Sequence, residues 1–293
     1  MIILNMSNLF DVVVFHYPCQ DGLASAWVTY NYHKENNINI ELYPIQHGTT
    51  LDISRLENKK VLFCDYSPSI EMLEKVENIN SSIIILDHHI SAQRALENKS
   101  YAIFDMNRSG VGITWGYFYP TKKLPYILEC IQDRDLFAWK VENSRDITAA
   151  IYLLQSTKEQ YNFNELFTVL EHSDGDYLLN LGKIINKSNL MKSENIAELH
   201  STRANYYMEY KYCIVNCSSD FASDVGNILT TKYGFDFAVL WNYFHPTEDY
   251  RVSLRANNMI DVSLLAKKFG GGGHKNASGF NTKINPVTLF MNL

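Results

Sequence analysis

In the first half of the chain, short apolar runs alternate with amphipathic segments, and this alternation is the feature that most limits the fold. Four runs have the length and the composition of buried strands, and a weaker fifth follows them: residues 11–15, 38–45, 60–65, 82–87 and 101–105. Two of the intervening stretches, 23–35 and 67–78, have helical spacing. Strands that alternate with helices form parallel sheets covered on both faces. We therefore predict a doubly wound α/β domain over residues 1–150.

The rest of the chain predicts two further parts. Residues 151–207 are mostly helical in pattern and would form a connector. Strand-like and helix-like stretches then alternate again over residues 208–293, where a smaller α/β domain is expected. A chain of 293 residues with 46% hydrophobic residues can bury the cores that two domains require.

Charge and cysteine content exclude several classes of protein. The formal net charge of −6 argues against a broad basic surface for long duplex nucleic acid. The five cysteines form no CxxC pair, which argues against a disulfide framework and against a structural zinc site. No apolar run reaches the length of a membrane span, so we expect no membrane partner and a cytoplasmic location. The sequence is compatible with a homodimer and does not determine the oligomeric state.

Polar side chains follow three of the predicted strands at the point where each strand ends. His16 and Asp21 follow the first strand, Asp65 ends the third, and Asp87, His88 and His89 end the fourth. Since the carboxyl ends of parallel strands meet at one edge of the sheet, these side chains should lie together. A single polar residue at a strand end is usually a cap or a turn former. Three strand ends with this chemistry indicate a metal or catalytic site.

The ligand types suggest which ions such a site would bind. Carboxylates and imidazoles without thiolates suit Mn²⁺, with Mg²⁺ as an alternative, better than structural zinc. Crowded carboxylates repel one another unless cations neutralise them. There are enough ligands for two ions, and a pair of divalent ions can activate water and hold a phosphoryl group.

Five segments of the chain, taken in order, resemble the DHH phosphoesterase family. They are HYPCQDG (16–22), FCDYS (63–67), ILDHHIS (85–91), IQDRD (131–135) and FGGGGHKNASGF (269–280). The DHH tripeptide alone is a weak signal, whereas the ordered set is a strong one. The family includes RecJ-type exonucleases, nanoRNases and family II pyrophosphatases. The last segment resembles the DHH-associated nucleotide-recognition domain, which differs from the C-terminal domain of the pyrophosphatases.

The resemblance implies a set of metal ligands for two manganese ions, with Asp65 as the bridge between them: His16, Cys19, Asp21, Asp65, His88 and Asp133. Asp135 is interpreted as a structural or helix-start residue. Family members commonly have an Asp where this chain has Cys19. A metal-bound thiolate and a buried spectator therefore stand as equal alternatives for Cys19.

The resemblance also implies two catalytic roles. Asp87 would orient His88 through a hydrogen bond, and His89 would point at the substrate phosphate or at the leaving oxygen.

The glycine run and the residues around it form the predicted substrate-binding group: Arg255, Gly271, Gly272, Gly273, His274 and Lys275. Glycine runs are usually flexible loops, but this one lies inside a compact unit. Glycines let backbone N–H groups approach an anion, and a guanidinium can bind phosphate through two N–H groups. With the metals on one domain and this group on the other, the expected substrates are short.

We therefore predict hydrolysis of short oligonucleotides, dinucleotides or small nucleotide phosphates by water that two metal ions activate. Two alternatives stay open. One is an inorganic pyrophosphate or polyphosphate hydrolase, and the other is a non-catalytic nucleotide-binding sensor.

Overall fold

The computed structural model describes residues 9–46, 49–80, 82–136, 138–156, 167–170 and 175–291. The chain divides into two compact units, residues 1–185 and 186–293, and each has its own sheet. None of the helices that these ranges contain has the length and apolarity that a bilayer crossing requires.

The N-terminal unit is built on a parallel sheet with the order β2-β1-β3-β4-β5. Its strands are β1 (Val12–His16), β2 (Glu41–Ile45), β3 (Lys60–Cys64), β4 (Ser82–Asp87) and β5 (Ala102–Phe104). All five predicted strands are present, and their parallel pairing confirms the predicted fold class. The strand order reverses between β1 and β3, which is where ligands bind in open α/β sheets.

Among the described residues up to Ser156, six α-helices accompany the sheet. They are α1 (Gln20–Glu35), α2 (Ile70–Ile79), α3 (Ile90–Ala95), α4 (Gly110–Phe118), α5 (Tyr126–Asp135) and α6 (Ser144–Ser156). On one face, Val13, Phe15 and Leu62 pack against α1, α4, α5 and α6. On the other, Val14 and Phe63 pack against α2. The central strands are therefore apolar on both faces, which explains why they read as continuous hydrophobic runs.

The C-terminal unit has a mixed sheet with the order β10-β11-β9-β8-β7-β6. Its strands are β6 (Asn205–Tyr207), β7 (Tyr210–Asn216), β8 (Phe237–Phe244), β9 (Asp249–Ala256), β10 (Gly272–His274) and β11 (Ala277–Thr282). Strands β7 and β8 are parallel, and the other described pairs are antiparallel. This sheet confirms the smaller α/β domain that the sequence predicts.

Helices cover both faces of this second sheet. They are α8 (Ala222–Thr231), α9 (Val262–Lys268) and α10 (Pro286–Met291). Helix α8 packs against Ala238 and Leu240, whereas α9 and α10 pack against Val239 and Leu254. The long helix α7 (Gly175–His200) lies within the predicted connector, of which residues 157–166 and 171–174 fall outside the described ranges.

A buried histidine joins α1 to the segment before β1. His33 is 0% exposed, its Nδ1 lies 2.7 Å from the carbonyl oxygen of Thr29, and its Nε2 accepts a hydrogen bond from the Phe10 N–H at 2.8 Å. A ring that accepts at Nε2 carries its single proton on Nδ1, so the folded state requires neutral imidazole. Burial accordingly lowers the pKa of His33.

The lowered pKa predicts an acid-sensitive fold. Below the unfolded pKa of 6.5, the unfolded chain binds a proton that folded His33 resists, so stability falls as pH falls toward the folded pKa. The slope of unfolding free energy should reach up to about 1.4 kcal/mol per pH unit. The His33→Gln variant should lose this slope in chelator-treated protein unfolded by urea between pH 7.5 and 5. The matched His245→Gln variant, at an exposed position, should keep it. An unchanged slope in His33→Gln would contradict the assignment.

Candidate metal centre

The candidate metal centre lies at the carboxyl ends of three adjacent strands. His16 is the last residue of β1, Asp65 directly follows β3, and Asp87 is the last residue of β4. The pairing of Phe15 with Cys64 and of Cys64 with Leu86 aligns these strand ends. The register therefore brings together residues that are distant in sequence.

Three groups of ligand atoms lie near these strand ends. Asp65, Asp87, His88 and His89 form one of them, and the other two adjoin each other. One of the adjoining groups contains His16, Cys19 and Asp65, and the other contains Asp21, His88 and Asp135. Within each group the ligand atoms lie within 4.8 Å of one another.

Asp65 lies between the two adjoining groups and has one carboxylate oxygen toward each. Its Oδ2 is 3.6 Å from His16 Nδ1, and its Oδ1 is 3.3 Å from His88 Nε2. Its backbone has a positive φ of 52°, a left-handed conformation that Asp adopts more readily than most residues. A carboxylate with one oxygen toward each ligand group has the arrangement of a bridging ligand.

Two carboxylate oxygens of the centre are buried without a hydrogen-bond partner among the described residues. They are Oδ2 of Asp65 and Oδ2 of Asp135. Buried polar atoms without partners cost free energy, and a bound ion is one of the common reasons why a fold keeps them. Carboxylate and imidazole donors that converge on such atoms fit divalent cations of the Mn²⁺ or Mg²⁺ type.

Two of the three carboxylates in the centre have raised pKa values, because nearby positive charge does not compensate for their burial and mutual repulsion. Burial raises the pKa of Asp21 well above its ordinary value, and the charges of Asp65 and Asp135 raise it further. Burial and the charge of Asp65 likewise raise the pKa of Asp135. Burial opposes ionisation of Asp65 as well, but contacts with His16 and His88 outweigh it and lower the pKa of Asp65 to about 2.

Two side chains respond to the same negative charge. Burial would lower the pKa of His88, but its contact with Asp65 and the neighbouring carboxylates raise it to about 9. Burial raises the pKa of the Cys19 thiol, and the charges of Asp65 and Asp21 add to that effect. Without a cation, His88 therefore supplies positive charge and Cys19 stays protonated.

The first turn of α4 holds Asp21 in place. The Ser109 hydroxyl and the Val111 N–H donate to Oδ1 at 2.6 and 3.0 Å, and the Gly110 N–H donates to Oδ2 at 2.6 Å. A Cβ on Gly110 would lie 2.7 Å from both Asp21 Oδ2 and Asp65 Cβ. Only glycine permits this approach. No feature of the sequence indicated that the N-terminus of this helix would hold a carboxylate of the centre.

The structure requires a correction to one predicted ligand, because it places Asp135 and not Asp133 in the centre. Asp133 accepts from the Lys140 N–H, the Val141 N–H and the Ser144 hydroxyl at 2.8, 3.1 and 2.6 Å. Asp135 Oδ2 lies 3.3 Å from His88 Nε2. Two residues along a helix turn the side-chain direction by about 200°, so these neighbouring aspartates point to opposite sides of α5.

The hydrogen bonds of Asp87 also differ from the predicted ones. Its Oδ1 lies 2.7 Å from Nδ1 of the His89 ring and accepts from the backbone N–H of His88. The hydroxyl of Ser67 donates to its Oδ2. Asp87 therefore orients the ring of His89 and the backbone of His88, but not the ring of His88. The hydrogen bond to Asp87 raises the pKa of His89, whose side chain is 42% exposed.

In the C-terminal unit, three of the predicted substrate-binding residues lie in strand β10 at the edge of the sheet. Gly272, Gly273 and His274 pair with Gly279, Ser278 and Ala277 of β11. A Cβ on Gly271 would lie 2.1 Å from the carbonyl oxygen of Gly279, and Gly273 has a positive φ of 133°. The glycines therefore let an edge strand pack closely. The exposed Lys275 follows in the turn, where its carbonyl accepts from the Val262 N–H.

Arg255 lies on the same face of this sheet as His274. Both residues flank Ala277 in the cross-strand register, and residues directly opposite one another share a face. The Nη2 of Arg255 donates to the Ser223 hydroxyl at 3.0 Å, and its Nη1 donates to the Leu254 carbonyl at 2.9 Å. The guanidinium is thereby held beside α8.

Two known domain families match this chain, one in each compact unit. The profile of the DHH family, N-terminal domain, matches residues 12–136, and the profile of the DHHA1 domain matches residues 209–290.

Two curated relatives are also similar. The chain is 34% identical over 285 residues to an uncharacterized protein of Acanthamoeba polyphaga mimivirus, in an alignment that covers 92% of this chain and 66% of that protein. It is 25% identical over 247 residues to a 3′,5′-cyclic-nucleotide phosphodiesterase of Helicobacter pylori, which covers 70% of this chain and 69% of that protein. The chain thus spans about two thirds of each relative.

Solved structures share the fold over nearly the whole chain. A pGpG-specific phosphodiesterase from Vibrio cholerae superposes with a TM-score of 0.55 at 12% identity and covers 96% of both chains. Exonuclease RecJ bound to manganese superposes with a TM-score of 0.53 at 13% identity, over 96% of this chain and 87% of that one. The two domain matches, in this order and on this architecture, establish that the chain belongs to the DHH family of phosphoesterases and carries a DHHA1 domain.

Proposed function

We propose that this protein is a metal-dependent phosphoesterase that hydrolyses short oligonucleotides or linear dinucleotides. The observation that carries the proposal is the bridging arrangement of Asp65, whose two oxygens face separate ligand groups. The buried and unpartnered oxygens of Asp65 and Asp135 support it, because a pair of cations would satisfy both.

Two divalent cations, Mn²⁺ in the first instance, fit the donor set. His16, Asp65 and either Cys19 or water would hold one ion, and a second set would hold the other: Asp21, Asp65, His88 and Asp135. When bound, the ions would supply Lewis acidity, which neutralises phosphoryl charge and makes a water more acidic. Binding of the ions would also relieve the repulsion that raises the pKa of Asp21 and Asp135.

His89 would act on the substrate from beside the ions. Asp87 fixes its Nδ1, and the raised pKa keeps the ring protonated to a higher pH than a free histidine. An imidazolium held in this way can donate its other N–H to a phosphoryl or leaving oxygen. Asp87 acts as the positioning residue for His89.

Residues of the C-terminal unit are suited to bind a nucleotide substrate through its phosphate. Arg255 and His274 share one sheet face next to a strand of glycines, where little side-chain bulk covers the backbone. A guanidinium, an imidazole and Lys275 suit a phosphate. The names of the Helicobacter pylori and Vibrio cholerae relatives, both nucleotide phosphodiesterases, point to the same substrate class.

The proposed activity predicts that the purified protein hydrolyses pApA or pGpG with Mn²⁺ and that a chelator stops the reaction. Product release should be followed by chromatography, with pyrophosphate, polyphosphate and 3′,5′-cyclic nucleotides in the same panel. Turnover of pyrophosphate without dinucleotide cleavage would replace the proposal with an inorganic pyrophosphatase. Nucleotide binding without any turnover would leave a sensor.

The two aspartates of α5 predict opposite results. Asp135→Asn removes one of the crowded carboxylates, so the metal-free protein should gain about 2–4 °C in Tm while Mn²⁺ no longer stabilises it and activity falls about 100-fold or more. Asp133→Ala removes three hydrogen bonds and should cost about 1–3 kcal/mol of stability, with the Mn²⁺-induced rise in Tm retained. Thermal melts with and without Mn²⁺ would measure both effects. If Asp133→Ala abolishes the Mn²⁺-induced rise in Tm and Asp135→Asn retains it, Asp133 is the metal ligand.

If the N-terminal unit binds the metal ions and Arg255 binds substrate phosphate, Arg255→Ala should weaken substrate binding without changing metal binding. The KM for pApA should rise about 10- to 100-fold because one charge-assisted contact to phosphate is lost, and the bound Mn²⁺ should stay unchanged. Kinetics and metal analysis on the same preparation would test this. Lys232→Ala, on an exposed lysine next to α8, is the charge-matched control. Loss of Mn²⁺ from Arg255→Ala would contradict the proposed roles.

A further inference from the structure

Arg134 lies beside the candidate metal centre, and the proposed function gives it no role. It directly precedes Asp135 on α5, and its Nη1 donates to Oε1 of Gln20 at 3.1 Å. Gln20 itself lies between Cys19 and Asp21 at the start of α1. The half-buried guanidinium is therefore next to two segments that carry proposed ligands.

A neutral amide holds this guanidinium in place. Gln20 is 3% exposed, and its Nε2 donates to the carbonyl oxygen of Thr148 at 2.8 Å, so α6 fixes the amide that Arg134 contacts. Arg55 and Arg108, in contrast, form ion pairs with Glu41 and Asp105. Within the described ranges no carboxylate pairs with Arg134 in this way, so its charge is oriented but not neutralised.

The charge balance of the centre changes when cations bind. With two divalent cations, four positive charges would face the three carboxylates of Asp21, Asp65 and Asp135. A guanidinium beside a centre of net positive charge is favourable only when an anion lies between them.

We propose that Arg134 is a substrate-binding residue that donates to a non-bridging oxygen of the phosphoryl group at the metal centre. Gln20 is the positioning residue that holds the guanidinium. Arg134 has N–H donors beyond the one directed at Gln20, and a planar guanidinium matches phosphate geometry. The inference rests on the proposed phosphoesterase function and adds a cation of the N-terminal unit to its substrate site.

The experiment uses the bound Mn²⁺ as its reporter. In the full-length Mn²⁺-loaded protein, AMP should change the electron paramagnetic resonance spectrum when its phosphate reaches the ions, and adenosine should not. Arg134→Met should raise the AMP concentration of half-change about 10- to 100-fold, since a hydrogen bond to a charged group is lost. Arg134→Lys should recover part of this loss. Arg55→Met, which removes a cation already paired with Glu41, should match the wild type.

Three results would overturn the inference. The first is an unchanged AMP response in Arg134→Met. The second is loss of bound Mn²⁺ from the same variant, which would make the hydrogen bond between Arg134 and Gln20 a structural link only. The third is a wild-type spectrum that AMP does not alter. If the AMP response depends on Arg134 as expected but no dinucleotide is cleaved, the anion site stands and the proposed hydrolysis fails.

Discussion

Repulsion among buried carboxylates is the constraint on which the N-terminal unit depends. Asp21, Asp65 and Asp135 converge where water is scarce, and burial together with the charge of Asp65 raises the pKa of both Asp21 and Asp135. His88 takes a proton in response, with its pKa raised to about 9. A fold keeps such an arrangement only if the surrounding structure holds it and if a ligand relieves it. Divalent cations would provide that relief.

The surrounding hydrogen bonds explain how the carboxylates stay in place. The first turn of α4 donates three hydrogen bonds to Asp21, and the missing side chain of Gly110 allows that approach. Asp133 uses its own three hydrogen bonds to fix the chain after α5, which in turn fixes the direction of Asp135. The residues that do not reach the centre are therefore as necessary as those that form it.

In the C-terminal unit, glycines keep the edge of the sheet uncovered next to the proposed phosphate-binding residues. Two of the three residues of its edge strand β10 are glycines, so little side-chain bulk covers the backbone beside His274 and Arg255. Arginine on a rigid strand, held by the Ser223 hydroxyl, loses little rotamer freedom when it binds phosphate. Arg255 in this unit and Arg134 in the N-terminal unit are local positive charges on a chain of net charge −6, whose overall field does not attract an anionic substrate.

The sequence by itself determined the order of strands and helices, the parallel sheet, and the strand ends at Asp65 and at Asp87 to His89. The reason is that a strand buried on both faces is a continuous apolar run, and this run stops where the chain turns polar. The sequence could not separate Asp133 from Asp135, since two aspartates in one helical turn differ only in direction, and that direction depends on how α5 packs. Nor could it assign the hydrogen bonds between Ser67 and Asp87, Ser109 and Asp21, and Arg134 and Gln20, which join residues 20, 88 and 114 positions apart. Only tertiary packing brings such groups within hydrogen-bonding distance.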